Sequence, residues 1–479
     1  MGHCGYITTL KNVRPHPNAD RLVLATCFNS TVCVAKDQYF EGQVGIYFET
    51  DLQLSMEYCE KNGLLAVYEN GVNVSGGYMD PAKRNVRAIK LRGEQSDGLF
   101  MPLASLDYTG ANLDELKIGD QITVLNGHEI CRKYIPRGNA PRTAAGGAGK
   151  RIKRRAKRSI APQFFEHKDT EQLQYYLDQF KPGDQIEITR KLHGTSGRTA
   201  NVKTFQGMKR TFWDWLFRRE GKAIYDWGIV SGTRRTVMDT FDGGFYGSNE
   251  FRKQYHDFFD GKLWKGETVY YEIVGFTHDG KSIMGQCSNK KLNDKEFVKQ
   301  YGDTTTFSYG CSPKGYVGCD GWGVSSDPKD PNGNILTIKP QSRMFVYRMT
   351  MTNEDGEVVE YTPDQVRHRC MYMGAEFVPV EWSGLIPENP GSYDDPTITA
   401  GEWVMKKVEQ FYDGPEPLDP THIREGCVVR IINRPTFTAY KHKNFAFKVL
   451  EGIIKDTAEA PDMEEADGLD EDYTDTESV

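Results

Sequence analysis

The stretch Ile188–Gly197 reads ITRKLHGTSG. It follows a turn signature, KPGD at 181–184, and continues the alternating run QIEITR that begins at Gln185. That alternation predicts a strand. Lys191 therefore closes a strand, and Gly194 follows three places later. The same Lys-x-x-Gly spacing occurs at Lys90 in KLRG and at Lys299 in KQYG. The spacing alone does not choose among the three lysines. Their surroundings do.

The chain has 479 residues, with 38% hydrophobic residues and a mean hydropathy of −0.60. That length predicts two or three cores rather than one. No apolar run approaches the ~20 residues of a membrane helix, and MGHCGYITTLKNVRP lacks the apolar segment of a signal peptide. Ten cysteines at scattered spacings, with no C-x-x-C, read as reduced thiols of a cytoplasmic protein. The net charge of −7 is segregated. The last 24 residues hold eleven of the 67 acidic residues and no basic one, leaving 60 basic against 56 acidic residues in the rest. A basic run, KRIKRRAKR, spans Lys150–Arg158. A basic body of this kind suits a polyanionic ligand.

Residues 1–130 read as short strands rich in β-branched and aromatic residues, such as RLVLATCF, STVCVAKD and QVGIYFETDLQL, which predicts a small β-barrel. Lys90 falls on one of these strands. Residues 131–160, rich in Pro, Gly, Ala and Arg, read as a basic linker. Residues 161–455 mix helix and strand and predict an α+β domain of largely antiparallel sheets. Within it DTEQLQYYLDQF predicts a helix capped by Asp169 or Thr170. PDQVRHRCMYMGA predicts another, and NFAFKVL predicts a strand. Residues 456–479 read as a disordered acidic tail. The Trp-rich insert KRTFWDWLFRREGKAIYDW reads as a packed flap or a basic-aromatic RNA surface, with packing favoured.

A P-loop is excluded, because GGAGKR has Ala144 in place of the first glycine and Arg151 in place of Ser or Thr. A nucleotide is also used covalently when a lysine attacks the α-phosphate. A free lysine is neutral in only on the order of one part in a thousand at pH 7, so that chemistry needs neighbouring cations or a metal. It also needs cations against the phosphate, carboxylates for the metal and an aromatic face for the base. Lys191 is followed, on short strands, by all of these: Arg234 and Arg235 in SGTRR, Glu272 in YYEIVG, Tyr347 in MFVYRM, Glu425 in REGCVVR, and Lys441, Lys443 and Lys448 in YKHKNFAFK, whereas Lys90 lies in the barrel. Lys299 comes after Glu272 and breaks the order.

In that order, KLHGTSG, YYEIVG, VYRM, EGCVV and KHK resemble the motifs of covalent nucleotidyltransferases. They are most similar to the ATP-dependent RNA ligase family that carries an OB-fold domain before the nucleotidyltransferase domain, many of whose members are viral. FFEHKDTEQL and VYRMTMTNEDGEVVEYT share the resemblance, and VRPHPNADRL resembles the start of tRNA-binding OB domains.

The resemblance implies a ligase that joins 3′-OH to 5′-phosphate ends in RNA repair, with ATP and Mg²⁺ or Mn²⁺ as cofactors. Lys191 is then the adenylated nucleophile. Arg190, Gly194, Thr195, Arg234, Glu272, Tyr347, Lys441 and Lys443 contact ATP or AMP, with Tyr347 on adenine and the two lysines on the α-phosphate. Glu272 and Glu425 support the metal. His193 joins the metal shell, assists sealing, or is a locally satisfied loop residue. Arg235 competes with Arg234, and Lys448 is the alternative if the fifth motif lies later. Arg190 departs from the glutamate that relatives place before the nucleophile. The expected partner is RNA, with DNA or RNA–DNA hybrid ends open. The expected state is a monomer without membrane association, in the host cytoplasm if the source is viral. Two rivals are a GTP-dependent capping-type guanylyltransferase and a non-catalytic OB-fold RNA-binding protein.

Overall fold

The computed structural model describes residues 3–69, 72–135, 161–217, 221–234, 236–238, 241, 249–278, 280–311, 342–391 and 397–456. The basic run, Arg235 and residues 457–479 lie outside the described residues.

The first unit is built of short strands. Leu99–Pro102, Val44–Phe48, Gly5–Thr9 and Gln121–Ile122 form one antiparallel sheet, and Lys11–Pro15, Leu22–Cys27 and Ser30–Ala35 form another. Alternation drives their burial. In Ser30–Ala35 the odd-placed Val32 and Val34 are buried with Leu10, Val23, Ala25 and Phe100. The unit runs on past residue 130, because Cys131–Lys133 pairs with Leu52–Leu54. The first residues of the stretch read as linker thus belong to a strand.

The second unit holds two larger sheets. One has five strands in the order Glu171–Gln172, Thr438–Lys443, Gly426–Ile431, Gln185–Lys191 and Val380–Leu385. Its core is Ile186, Ile188, Val429, Ile431 and the helix Ala400–Val408. The other is seven-stranded and centres on Thr195–Lys209, Glu267–Gly275 and Ser342–Thr352, with Phe251, Phe259, Tyr271 and Phe345 beneath. The architecture is α+β with mainly antiparallel pairing. The helix Pro363–Met373 forms as its sequence predicts. A Thr362–Gln365 capping box starts it and left-handed Gly374 ends it.

Three readings are corrected. DTEQLQYYLDQF is no helix. Glu171–Gln172 pairs in parallel with Tyr440 and Lys441, and two 3-10 turns follow at Leu173–Tyr175 and Leu177–Gln179. Strand pairing and the packing of Tyr175 on Tyr6 of the first unit, with ring centroids 4.4 Å apart, override the local periodicity. NFAFKVL begins the helix Phe445–Asp456, not a strand. Asn444 accepts from the Phe447 amide at 3.2 Å, and Phe447 and Leu450 are both buried on one helical face. In the Trp-rich insert, read as packed, Phe212, Trp213 and Phe217 are instead 67%, 62% and 59% exposed.

The two units meet through Tyr175 and two ion pairs at 2.6 Å, Lys448 to Asp97 and Lys90 to Asp294. Lys90, the first rival lysine, is thereby accounted for.

Candidate active site

Lys191 ends a strand of the five-stranded sheet, and Thr195 begins a strand of the seven-stranded one. The three residues between carry the chain across. That crossing is tight. A Cβ on Gly194 would lie 2.2 Å from the Ile273 carbonyl oxygen, so only glycine fits. The Gly194 amide donates to Glu272 Oε1 at 3.1 Å. The glycine thus serves sheet-to-sheet approach and fixes Glu272. Close passage along a nucleotide was the expectation, and backbone proximity to Ile273 is what requires it.

A cavity of about 250 Å³ opens at this crossing. Both sheets line it, and His3, Asp51 and Lys133 of the first unit close one side. Strand alternation explains the rest. Glu187, Thr189 and Lys191 face the cavity from one strand, and Ala439, Lys441 and Lys443 from another.

Lys191 Nζ lies 2.7 Å from Glu425 Oε1, and Lys443 Nζ lies 3.5 Å from the same oxygen. Lys443 also pairs with Glu451 at 2.6 Å. Burial pushes the Glu425 carboxyl up, but Lys191 and Lys443 outweigh it and hold it below the usual carboxylate range. Glu425 is placed by Gly426, whose φ of +148 and close approach to the His442 carbonyl oxygen again require glycine. Glu272 differs. Burial raises its carboxyl to about 7, with Lys191 opposing and Glu425 adding to the rise. Lys441 is lowered by burial and then by Lys443 and Lys191, with the charge of Glu49 in the first unit opposing them. The site therefore concentrates cations around two carboxylates of unequal proton affinity.

The buried Glu425 Oε2 finds no hydrogen-bond partner among the described residues. No group of three or more His, Cys, Asp or Glu suited to a metal occurs among them. Two carboxylates with one open oxygen fit a hard divalent cation that takes its remaining ligands from water and phosphate.

Tyr347 lines the same cavity. Its strand pairs Arg348 with Tyr270 and Val346 with Tyr271, so Tyr347 is the extra residue of a β-bulge. The bulge aims the ring, which packs edge-on to His167 at 5.0 Å. His167 is held neutral by burial and by Arg348, its pKa well below the usual histidine range. Phe437, Glu187 and Arg430 complete this side. Sequence reasoning missed His167, Phe437, Arg430, Asp169 and Glu451. FFEHKD carried the only signal for His167, and the spacing of Glu451 from Lys443 follows only once the segment is a helix.

The remaining expected residues divide. Arg234 lines the cavity and pairs with Asp169 at 3.2 Å. Thr195 lines it too, but its hydroxyl accepts from Arg252 at 2.6 Å. His193 is buried edge-on between Phe307 and Phe447, its amide donating to the Tyr309 hydroxyl, and burial lowers its pKa to about 4. It lies on the cavity lining with its buried Nε2 lacking a hydrogen-bond partner among the described residues, so the rings pack it without satisfying it. Arg190 lies on the cavity lining, but the reading of its side chain as a nucleotide contact is corrected. Its side chain takes the face opposite Lys191 and bonds Glu381 at 2.7 Å and Glu416 at 2.9 Å. Lys448 is corrected likewise, since it reaches Asp97 of the first unit from the helix.

A family model described as an OB-fold domain matches residues 5–103. No curated protein sequence matches the chain. Solved structures do match, over nearly the whole of both chains. The Naegleria gruberi RNA ligase with PPi aligns at a TM-score of 0.51 and 15% identity, covering 93% of this chain and 98% of that one. A mutant of the same ligase in its apo form gives 0.51 and 15%, covering 94% and 98%. A mutant with ATP and Mn gives 0.50 and 14%, covering 93% and 98%.

This chain has the fold of an RNA ligase with an N-terminal OB domain.

Within the ligase fold, the OB domain supplies His3, Asp51 and Lys133 to the cavity wall, and the second domain supplies Lys191 and its carboxylates.

Proposed function

We propose that the chain is an ATP-dependent RNA ligase that joins 3′-OH and 5′-phosphate ends through a lysyl-AMP intermediate, with RNA repair as its setting. The convergence of Lys191, Glu272, Glu425, Arg234, Tyr347, Lys441 and Lys443 on one cavity carries this reading. The Naegleria ligase structures, solved with ATP and Mn or with PPi, support it.

In the first step the neutral Lys191 amine attacks the α-phosphate. A P–N bond forms, the bond to the bridging oxygen breaks, pyrophosphate leaves and the amine loses its proton. The Lys191–Glu425 pair must open for this. Lys441 and Lys443 neutralise the phosphate, Arg234 holds ribose or phosphate, and Tyr347 stacks on adenine. In the second step a 5′-phosphate oxygen attacks the AMP phosphorus, the P–N bond breaks and Lys191 regains a proton. In the third a 3′-hydroxyl attacks that 5′-phosphate, loses its proton and expels AMP. Positioning and charge neutralisation supply most of the acceleration. Glu425 and Glu272 would hold Mg²⁺ or Mn²⁺, which supplies charge neutralisation at the phosphates. RNA is the proposed partner, with DNA or hybrid ends as further substrates. The proposed state is a cytoplasmic monomer. No described helix is long and apolar enough to cross a membrane.

Incubation with α-labelled ATP or GTP and metal tests the proposal. ATP label on the chain, absent in Lys191→Ala and retained in Lys90→Ala, is expected. GTP label alone supports capping chemistry, and no label with either nucleotide supports a binding module.

A further inference from the structure

The strand that begins at Thr195 in the cavity does not stop at the edge of its sheet. It continues to Lys209 and returns as Lys222–Gly232. At ~3.3 Å per residue the arm reaches roughly 45 Å from the nucleophile. A hydrophobic tip at its end would ordinarily pack, yet Phe212, Trp213, Leu216 and Phe217 are each at least half exposed. Trp213 and Phe217 lie nearly parallel, with an interplanar angle of 13°. Lys209, Arg210 and Lys222 flank the tip and are exposed. Lower on the arm, Lys203 and Lys265 both sit 5.7 Å from the Trp227 ring. Residues 203–227 hold six basic and three acidic residues. Cations interleaved with exposed rings, on an arm continuous with the nucleophile, match what a single strand needs: charge along its backbone and flat faces for its bases.

We propose that this hairpin tip is a second RNA-binding site, stacking bases of the substrate strand roughly 45 Å from Lys191. The proposal rests on the ligase reading and adds a length requirement to it. At ~3.4 Å per stacked nucleotide, a strand seated at Lys191 reaches the tip only after about 13 nucleotides. Shorter strands do not touch it.

The test compares the full chain with the Phe212→Ala/Trp213→Ala/Phe217→Ala variant and with Lys209→Ala/Arg210→Ala. Binding and sealing are measured on 5′-phosphorylated single-stranded RNA of 8 and 30 nucleotides, alongside lysine labelling from ATP. Expected is unchanged labelling and unchanged 8-mer binding in both variants. The aromatic variant should weaken 30-mer binding at least about tenfold, the loss of one stacked base. The basic variant should flatten the salt dependence of 30-mer binding. Equal losses on both lengths, or none on either, overturn the proposal. So does loss of binding to anionic lipid vesicles with RNA affinity intact, which would make the tip a membrane contact. If wild type takes no ATP label, the ligase reading fails; 30-mer binding that still depends on the tip would leave the second site standing.

Discussion

Arg190 offers the sharpest test of how the site is built, because it neighbours Lys191 and yet faces away from it. Its guanidinium is 9% exposed and bonds Glu381 at 2.7 Å and Glu416 at 2.9 Å. Glu416 is fully buried, and burial raises its carboxyl while Arg190 pulls it back down. Arg190→Ala leaves that charge buried with one remaining donor among the described residues, the Leu418 amide at 3.0 Å. Breaking a buried pair on one side costs ~3–5 kcal/mol. Glu381 keeps Arg424 at 3.6 Å, which places the loss near the lower end, about 3 kcal/mol. Arg190→Lys retains the charge but not the fork, so its loss is smaller. Trp382 and Trp403 pack on the core of the same sheet and report its unfolding by fluorescence in urea. The expected result is a markedly lower midpoint for Arg190→Ala, an intermediate one for Arg190→Lys, and an unchanged KM for ATP in the protein that remains folded. A KM raised tenfold with the midpoint unmoved would mean that Arg190 reaches the nucleotide, and the opposite-face argument would be wrong.

Glu272 predicts a pH effect. Its carboxyl is raised to about 7 by burial against the opposing pull of Lys191, so the ionised form is lost as pH falls below 7. Mn²⁺ affinity, which needs the deprotonated carboxylate, should fall through that range, and Glu272→Gln should abolish this limb. A folded value above the unfolded one favours the fold at low pH and is lost as pH rises through 7. Glu272→Gln should therefore melt higher than wild type at pH 8 and little differently at pH 4. A persistent limb in the variant would assign it elsewhere. Gly194→Ala places a Cβ 2.2 Å from a backbone oxygen and should cost about 1–3 kcal/mol, measured by denaturation, together with most ATP labelling. Glu425→Gln removes the shared partner of Lys191 and Lys443 and should slow labelling at least about 100-fold, with Mn²⁺ titration showing weaker metal dependence. Full labelling would show that neither the ion pair nor the metal needs it.

The strands were legible where burial is one-sided. Ser30–Ala35 and Gln185–Lys191 alternate because one face meets a core, and the pattern survives in sequence. The helix Pro363–Met373 was legible because its caps are local. Residues 171–179 were not, because strand pairing with Tyr440 and contact with Tyr6 come from distant segments. NFAFKVL misled because a short apolar run has no decisive period. The site followed the same division. Lys191, Glu272 and Glu425 are marked by order along the chain. His167, Phe437 and Asp51 reach the cavity only through the fold. Arg190 looked like a site residue by adjacency, and only the alternation of a strand separates it from Lys191.

Tyr175 has a consequence for modularity. Gln172 pairs with Lys441, and three residues later Tyr175 stacks on Tyr6 and lies against Phe28 of the OB domain. Gln174 beside it accepts from Ser30 of that domain at 3.2 Å. One short segment thus belongs to two architectures. A gene cut between the domains would strand an aromatic side chain in water and loosen the strand that registers Lys441 in the cavity wall. The seam drawn by fold is not a seam in stability, and swapping OB domains among ligases of this architecture should succeed only when the residue that plugs them travels with them.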